Sequence, residues 1–345
     1  MLRRHIRWRD RKKLFFAVDE LRSWMGPKRV NRPKGYLSHA ETLGSYLAYY
    51  FPLHLGEVYW ILEQHPNVVD FDKIDEVWDL GAGPGTSSVS LLLWLQKNNK
   101  KVPKIWTVVD SSQRAMDVAE ELLHSLDKNI EVRKIRVNIF SPDGLKRLKQ
   151  HRQKNIFFLA SHFLNELGSG PRRRGDKKRF LDMLSGHVLI IEPPLREPTL
   201  DLMSLRDELC DLEADAPAAI LAPCPKAFGK CPMLARSMGW CYAQPPRMWL
   251  RSVNLDHWEV ELRDLSGTLL QEFGFSYLLY RRDPTSAMLE ENQGTDIKSD
   301  KRWIQISDTR NVKTLLCEGQ QIVSKAIKTG FRGMVHRQLS SSVED

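Results

Sequence analysis

One stretch decides the fold of this 345-residue chain: Val77-Trp78-Asp79-Leu80-Gly81-Ala82-Gly83-Pro84-Gly85-Thr86. Its apolar start predicts a buried strand, and its glycines predict a tight turn that leads into a helix. Glycine is needed where the backbone takes a positive φ or closely approaches a ligand. The hydroxyl residues at 86–88 can accept hydrogen bonds from the free amides at the helix start. A strand, a glycine turn and a helix in this order form a cradle for a nucleotide-like cofactor.

Two acidic residues flank the glycine turn. Asp79 comes just before the glycines, and Asp110 follows the next predicted strand, at 105–109. The spacing is G-x-G-x-G and not the G-x-G-x-x-G of dinucleotide enzymes, which argues against a nicotinamide dehydrogenase. The pattern resembles the class I S-adenosylmethionine (SAM) methyltransferases. The resemblance implies that Asp79 organises the methionine end of SAM, that Asp110 holds the ribose hydroxyls, and that the whole site comprises Asp79, Gly81, Gly83, Gly85 and Asp110.

Strands and helices alternate from residue 76, which predicts an α/β fold with a parallel, doubly wound sheet. Strands are predicted at 77–80, 105–109, 131–137, 156–160 and 187–191, with helices at 89–95 and 114–126. Residues 1–75 have apolar residues at helical spacing and are predicted to be mostly helical. After Glu192 the chain is rich in proline, and we expect little regular structure beyond a helix at 200–212. Alternating segments at 258–265 and 275–281 predict antiparallel strands that close the sheet edge, and 288–301 is predicted to be a polar loop.

Positive charge is concentrated in two places. The net charge is +9, and residues 1–35 contain twelve Lys or Arg against three acidic residues. A second basic run, 171–179, separates two predicted elements and is therefore expected on a loop. Such clusters are typical of proteins with a phosphate-bearing partner, although solvated surface is the alternative. We expect salt-sensitive RNA contact through Arg3, Arg4, Arg7 and residues 172–179.

The expected location follows from what the sequence lacks. No apolar stretch reaches the length of a membrane-spanning helix, and the basic start has no apolar core typical of a secretion signal. We therefore expect no membrane partner. The sequence favours a bacterial cytoplasm, with the mitochondrial matrix as the alternative.

The cysteines form an unusual pattern. Cys224, Cys231 and Cys241 lie in the proline-rich segment with the spacing C-x6-C-x9-C, Cys317 follows much later, and Cys210 stands apart. Intracellular proteins rarely keep disulfides, so clustered cysteines suggest metal binding or chemistry. The spacing matches no zinc ribbon. The residues alone leave three interpretations open: a metal site, ordinary half-buried thiols, or a catalytic thiol at Cys224. Cys224 resembles the nucleophile of cytosine-C5 methyltransferases, but it lies too far beyond the fifth strand for that role.

Several segments carry a wider resemblance that spans nearly the whole chain. They include Tyr46-Leu47-Ala48-Tyr49-Tyr50-Phe51-Pro52, Leu164-Asn165-Glu166-Leu167, Ile191-Glu192-Pro193, Ala222-Pro223-Cys224-Pro225, Lys230-Cys231-Pro232, Trp240-Cys241-Tyr242 and Leu316-Cys317-Glu318-Gly319. Together they resemble the methyltransferase-like family associated with the small subunit of mitochondrial ribosomes and its bacterial homologues. One departure follows Glu192, where the family tends to continue Pro-Gly-Thr and this chain has Pro193-Pro194-Leu195. We therefore expect the local shape of the substrate entrance to differ from that of the family.

The family resemblance implies a SAM-binding fold that acts in small-subunit maturation, and an iron–sulfur cluster held by Cys224, Cys231, Cys241 and Cys317. Four thiolates suit a [4Fe-4S] cluster and a tetrahedral zinc ion equally, so zinc stays an alternative. Cys210 matches no motif and is expected to be a packed thiol.

Candidate catalytic residues follow the fourth predicted strand, where substrate-facing residues of this fold cluster. They are Asn165 and Glu166, for which a helix cap and a surface acid are the alternative roles. His162 is expected to form local hydrogen bonds rather than to act as a base. General-base help is optional for methylation of an unhindered nitrogen, so the lack of an evident base is uninformative.

Two functions remain open at this point. The chain is either an enzyme that methylates small-subunit ribosomal RNA, or a non-catalytic ribosome assembly factor whose cluster serves structure or sensing. The predicted regions are a basic helical segment (1–75), the SAM-binding core (76–192), a Pro/Cys-rich metal-binding segment (193–250), C-terminal strands that complete the sheet and supply the last cysteine (251–337) and a loose tail (338–345).

Overall fold

The structure, a computed structural model, describes residues 11–25, 33, 35–150, 155–167, 171–181, 184–211, 218–224, 230–231, 233–235, 240–243, 274–282, 302–305, 314–318 and 321–325. The helices in these ranges are α1 (Arg11–Met25), α2 (Ala40–Gln64), α3 (Thr86–Lys97), α4 (Gln113–Leu126), α5 (Pro142–Gln150), α6 (Pro171–Leu181) and α7 (Arg196–Cys210). None of these helices is long and apolar enough to cross a membrane.

Two sheets are present. The strands, in chain order, are β1 (Glu76–Leu80), β2 (Ile105–Asp110), β3 (Glu131–Arg136), β4 (Ile156–Ser161), β5 (Gly186–Glu192), β6 (Ala218–Ala222), β7 (Trp240–Cys241), β8 (Ser276–Arg282), β9 (Arg302–Gln305), β10 (Thr314–Glu318) and β11 (Gln321–Lys325). The large sheet has the order β3-β2-β1-β4-β5-β8-β6, and the small sheet has the order β11-β10-β9-β7.

The large sheet is doubly wound. Strands β1 to β5 pair in parallel, whereas β8 is antiparallel to both β5 and β6. The chain winds outward from β1 to β3 and then returns to the other side of β1 through β4. Ligands of such sheets bind beyond the carboxyl ends of the strands at this reversal. The predicted α/β fold is confirmed. The reversal indicates a candidate ligand site at the carboxyl ends of β1, β2 and β4.

Helices cover both faces of the sheet. On one face the side chains of α2, α3 and α4 form a continuous core in which Ile61, Trp94 and Trp106 are fully buried. On the other face α6 and α7 pack over residues such as Val188. Burial of one large apolar side chain contributes about 1.5–3 kcal/mol, so these layers hold the strand ends in fixed positions. A serine cap adds to this order, since Ser112 Oγ accepts the Ala115 N–H at 3.2 Å at the start of α4.

The small sheet brings two distant parts of the chain together. Strand β7 pairs with β9, so that Cys241 is opposite Ile304, and β9 pairs with β10, so that Ile304 is opposite Leu315. Cys317 lies two residues further along β10. The backbone register therefore places Cys241 and Cys317 in one sheet, on strands separated only by β9.

Most predicted core elements are confirmed within a few residues, and three expectations need correction. The basic run 171–179 is part of helix α6 and not a loop, because Pro171 suits the first helical position and Arg and Lys have high helix propensity. Helix α7 begins at Arg196 rather than at residue 200. The strand predicted at 275–281 does not form the sheet edge, since β8 lies between β5 and β6.

The sequence did not predict α5, β6 or β7. It placed the C-terminal strands in the main sheet, whereas β9, β10 and β11 form a separate small sheet with β7. The segments predicted as a strand at 258–265, a polar loop at 288–301 and a tail at 338–345 lie outside the described residues, as do Arg3, Arg4 and Arg7.

Candidate cofactor site

The glycine turn between β1 and α3 requires its glycines. Gly81, Gly83 and Gly85 all have positive φ, at 72°, 53° and 76°. A Cβ on Gly81 would lie 2.3 Å from the Phe163 ring, and a Cβ on Gly85 would lie 2.7 Å from the Ala119 Cβ. Both positions thus exclude any side chain, by backbone conformation and by space.

The turn is tied to the neighbouring strand. The amides of Gly81 and Ala82 both donate to the carbonyl of Val109, at 2.8 and 3.1 Å. Asp110, the next residue, accepts the Gly83 N–H at 3.0 Å on Oδ2. These bonds fix the glycine backbone directly beside the end of β2.

The acidic residues predicted from the sequence both lie at this place. Asp79 is 2% exposed, and its Oδ2 accepts hydrogen bonds from Ser88 N at 3.2 Å and Ser88 Oγ at 2.6 Å. Burial raises the pKa of Asp79 to about 6, and the charge of Asp110 adds to the rise. Asp110 is half-buried, its Oδ1 accepts the Ser112 N–H at 2.7 Å, and burial raises its pKa as well. The structure therefore brings the five predicted cofactor residues together, and their binding roles stay predictions.

The residues after β4 are held by the end of β5. The N–H of His162, which has a φ of 52°, donates to the Ile191 carbonyl at 2.7 Å. The amides of Leu164 and Asn165 donate to Oε1 of Glu192 at 3.0 and 3.2 Å. Asn165 is buried at 6% exposure, whereas Glu166 is exposed. Of the two candidate catalytic residues, Asn165 thus packs against β5 and Glu166 faces solvent.

Glu192 is a site residue that the sequence reasoning did not select. It is 2% exposed, and burial raises its pKa to about 7, although Asn165 and Lys177 act to lower it. Its Oε2 has no hydrogen-bond partner among the described residues. Glu192 also lines a small pocket together with Lys177 and Asp201. The sequence did contain one indication of the importance of Glu192, namely that a charged residue ends an apolar strand.

Lys177 belongs to the basic run and yet is buried. Its Nζ lies 2.7 Å from Oδ2 of Asp201 on α7, and both residues are less than a tenth exposed. Arg173, by contrast, has a side chain that is 54% exposed. The basic run is therefore partly structural, and Lys177 is withdrawn from the residues expected to contact RNA.

A row of aromatic and polar side chains on α2 faces the same region. Tyr46, Tyr50 and His54 follow one another at four-residue spacing, with ring centroids 5.7 and 5.5 Å apart. The His54 ring lies 3.9 Å from the His162 ring. Burial raises the pKa of the Tyr46 hydroxyl, and the charges of Glu57 and Asp79 raise it further. This row connects the start of the glycine turn with the end of β4.

Glu57 lies between two histidines. Its Oε1 is 2.8 Å from His54 Nδ1, and its Oε2 is 2.8 Å from His162 Nε2. Burial acts to raise the pKa of Glu57, but the facing His162 and His54 hold it at about 2. The His162 side chain therefore forms hydrogen bonds, as expected, but its partner Glu57 is far away in the sequence and not local. The partners His54 and Glu57 were missed, because they precede His162 by more than a hundred residues.

Three of the predicted metal-binding cysteines are neighbours. Burial and, to a smaller extent, the thiols of Cys241 and Cys224 raise the pKa of the Cys231 thiol to about 11. Cys231 and Cys241 also share a small apolar cluster with Met203. Cys210 instead packs in the main core, as expected for a structural thiol.

Helix α7 holds both cysteine loops. Arg206 donates from Nε and Nη2 to the Cys224 carbonyl at 2.9 and 2.8 Å. Both carboxylate oxygens of Asp207 lie 3.0 Å from the Cys231 amide. Arg206 and Asp207 also pair with each other at 2.8 Å. Two adjacent buried charges thus position the backbones of two cysteines.

No protein-family profile and no curated protein sequence matches the chain. Among solved structures it is similar to a protein from Pyrococcus horikoshii provisionally described as an RNA methyltransferase, with 14% identity, a TM-score of 0.36, and coverage of 80% of this chain and 98% of the other. It is also similar to magnesium protoporphyrin IX methyltransferase from Synechocystis, a structure with bound SAM, with 13% identity, a TM-score of 0.33, and coverage of 59% and 84%. A third similar structure is a SAM-dependent methyltransferase from Clostridium acetobutylicum, with 15% identity, a TM-score of 0.28, and coverage of 51% and 56%.

These TM-scores are low, and the fold assignment rests on the strand order and the glycine turn of this chain. The seven-stranded sheet with its antiparallel β8 has the class I SAM methyltransferase fold.

Proposed function

We propose that this chain is a SAM-dependent methyltransferase that acts on, or together with, small-subunit ribosomal RNA in ribosome assembly and translation. The observation that carries the proposal is the glycine turn, where three positive-φ glycines lie between carboxylates at the ends of two adjacent strands. SAM, when bound, supplies a methyl group for an in-line displacement. The chain then has to hold the donor, exclude water and align the nucleophile.

The residues present suit a SAM molecule. Each oxygen of Asp110 accepts one backbone amide, from Gly83 or from Ser112, and an ionised carboxylate oxygen has a further lone pair for a ribose hydroxyl. A Cβ on Gly83 would meet only Leu37 Cδ1, at 3.4 Å, so the turn leaves space above its backbone. Asp79 is buried against Ser88 and orients the start of α3. The proposed roles are thus ribose binding for Asp110 and organisation of the methionine end for Asp79.

An RNA substrate is supported by charge. The net charge of +9 is concentrated in residues 1–35 and in the run that forms α6. Arg173 on α6 is exposed, as an electrostatic contact to phosphate requires. Neutralising Arg3, Arg4, Arg7 and Arg173 should weaken RNA binding and flatten its dependence on salt. Unchanged binding would remove the basis for an RNA partner.

We also propose an iron–sulfur cluster at Cys224, Cys231, Cys241 and Cys317, with zinc as the alternative. The neighbouring thiols of the first three and the register of β7, β9 and β10 support a common site. Thiolates on one tetrahedral zinc ion are about 3.8 Å apart. The thiols of Cys224, Cys231 and Cys241, whose side chains the structure describes, do not form a group within 4.8 Å. In a four-iron cluster each thiolate binds a different iron, so the thiolates lie further apart than they do on one zinc ion.

Metal analysis tests the cysteine assignment. Cys241→Ala should lower iron content and solubility together, whereas Cys210→Ala, which also removes a buried thiol, should keep the iron. A Cys241→Ala protein with full iron content would contradict the assignment. Zinc in place of iron in anaerobically purified protein would select the alternative.

The function itself is tested by mapping methyl groups on small-subunit ribosomal RNA by mass spectrometry. Cells that lack the protein are complemented with the wild type or with Asp110→Ala. A methyl group that is lost in the deletion and restored only by the wild type would establish the enzyme and its nucleotide. If every methyl group persists while small subunits fail to mature, the chain is an assembly factor on a methyltransferase scaffold.

A further inference from the structure

A buried cluster of metal-ligating side chains lies beside the candidate cofactor site. It consists of His54 and Glu57 on α2 and of His162 at the end of β4, and is here named the His–Glu–His cluster. One nitrogen or oxygen from each residue lies within 4.8 Å of the other two. In the described part of the chain this is the only group of His, Cys, Asp or Glu residues that meets this separation.

The cluster contains a carboxylate in an unusual setting. The Glu57 side chain is 1% exposed, and its ion-pair partners are the two histidines. Within the described residues it forms no ion pair with a lysine or arginine. Transfer of a carboxylate from water to the interior is costly unless a positive charge compensates it. A divalent cation would provide that charge at the place where both imidazoles converge.

The backbone holds the donors in place. His54 and Glu57 are three residues apart on one helix face, in the interior of a 25-residue helix. His162 has a φ of 52°, and its amide is tied to the Ile191 carbonyl at 2.7 Å. A non-glycine residue in this region costs free energy, and such residues concentrate at functional sites. In this backbone conformation His162 Nε2 lies 2.8 Å from Oε2 of Glu57.

We propose that the His–Glu–His cluster binds one divalent transition-metal ion of the zinc type through His54 Nδ1, a Glu57 carboxylate oxygen and His162 Nε2. Two histidines and one glutamate are a donor set of zinc sites that keep a fourth position for water.

The dimensions suit this ion. At metal–ligand bonds of about 2.0–2.2 Å, tetrahedral ligands lie about 3.3–3.6 Å apart. The nitrogen–oxygen separations are now 2.8 Å, so each has to open by about 0.5–0.8 Å as the ion replaces the hydrogen-bonded protons. The His54 and His162 side chains are 17% and 14% exposed, which leaves a path for the ion from that side.

The test is a metal count on the full-length protein. Wild type, His162→Gln and His39→Gln are dialysed against Zn²⁺, and bound zinc is measured by mass spectrometry. His39 is an exposed histidine next to α2 that forms no side-chain cap hydrogen bond, and it serves as the control. We expect His162→Gln to bind one zinc fewer than the other two proteins. Equal zinc in all three would overturn the proposal and leave a His–Glu–His hydrogen-bond network.

Cobalt separates this site from the cysteines. The difference spectrum of Co²⁺-loaded wild type and His162→Gln should contain d–d bands without a sulfur-to-cobalt charge-transfer band, because the lost ligands are nitrogen and oxygen. A difference spectrum dominated by that charge-transfer band would contradict the proposal. His54→Gln provides a second variant if His162→Gln does not fold. Since the readout is metal and not methyl transfer, the result is independent of the function proposed above.

Discussion

Asp207 joins the helical scaffold to the cysteine segment, and its removal should destabilise the protein strongly. Asp207 is 9% exposed and pairs with Arg206, which is 5% exposed. Asp207→Ala takes the carboxylate away from this buried guanidinium, a change that costs about 3–5 kcal/mol in other proteins. It also removes the acceptor of the Cys231 amide, which adds about 1 kcal/mol. Because Arg206 keeps its hydrogen bonds to the Cys224 carbonyl, we expect a total near the lower end of the summed range, about 4 kcal/mol.

Urea unfolding measures this loss. With a slope of about 3 kcal/mol per molar urea, the midpoint should fall by about 1 M. Asp211→Ala is the matched control, because Asp211 contacts Lys230 from the same helix end but both side chains are about 60% exposed. Its midpoint should not change, since exposed ion pairs contribute little. If the midpoints of the two variants coincide, the buried pair does not position the cysteine loops as argued.

Gly85→Ala should lower the free energy of unfolding, measured with urea, by about 2 kcal/mol or more, because the φ of Gly85 is 76° and an added Cβ would lie 2.7 Å from Ala119. It should also weaken SAM binding, as measured by calorimetry. Ser88→Ala removes the 2.6 Å hydrogen bond to Asp79. The resulting loss in free energy of unfolding, measured with urea, should be larger at pH 7 than at pH 5, because the Asp79 pKa of about 6 leaves that carboxyl largely protonated at pH 5. Glu192 has a folded pKa of about 7, above its unfolded value, so the folded state retains a proton that the unfolded state loses, and wild-type stability should fall between about pH 4.5 and 7. Glu192→Gln should make this decline shallower without removing it, because Asp79 keeps its own raised pKa of about 6, and parallel pH profiles of wild type and variant would contradict the assigned pKa of Glu192.

The sequence was sufficient for the elements whose pattern is local. Strand β1 and the glycine turn follow from adjacent residues, because apolar runs and positive-φ positions leave direct traces. Helix α6 could not be predicted in this way, because a run of Arg and Lys is equally compatible with an exposed loop and with a helix. The place of β8 inside the sheet was also not predictable, because strand order depends on pairing between segments far apart in the chain.

The same distinction applies to the site. Asp79 and Asp110 could be placed because each adjoins a recognisable strand end. Glu57 and Glu192 could not, because their importance lies in burial and in partners from other elements. A carboxylate in a sequence gives no indication of whether water or a histidine will face it in the folded protein.

The position of β8 has a consequence for synthesis on the ribosome. Strand β5 ends at Glu192, and the strand that pairs with its outer side ends at Arg282, about 90 residues later. At about 5–20 residues per second, the apolar edge of β5 is without that neighbour for about 5–18 seconds of translation. An open strand edge is a template for wrong pairing between chains. The nascent protein therefore passes through an aggregation-prone interval that ends only when its C-terminal third emerges, and shielding of this edge by a chaperone would govern the yield of folded chains.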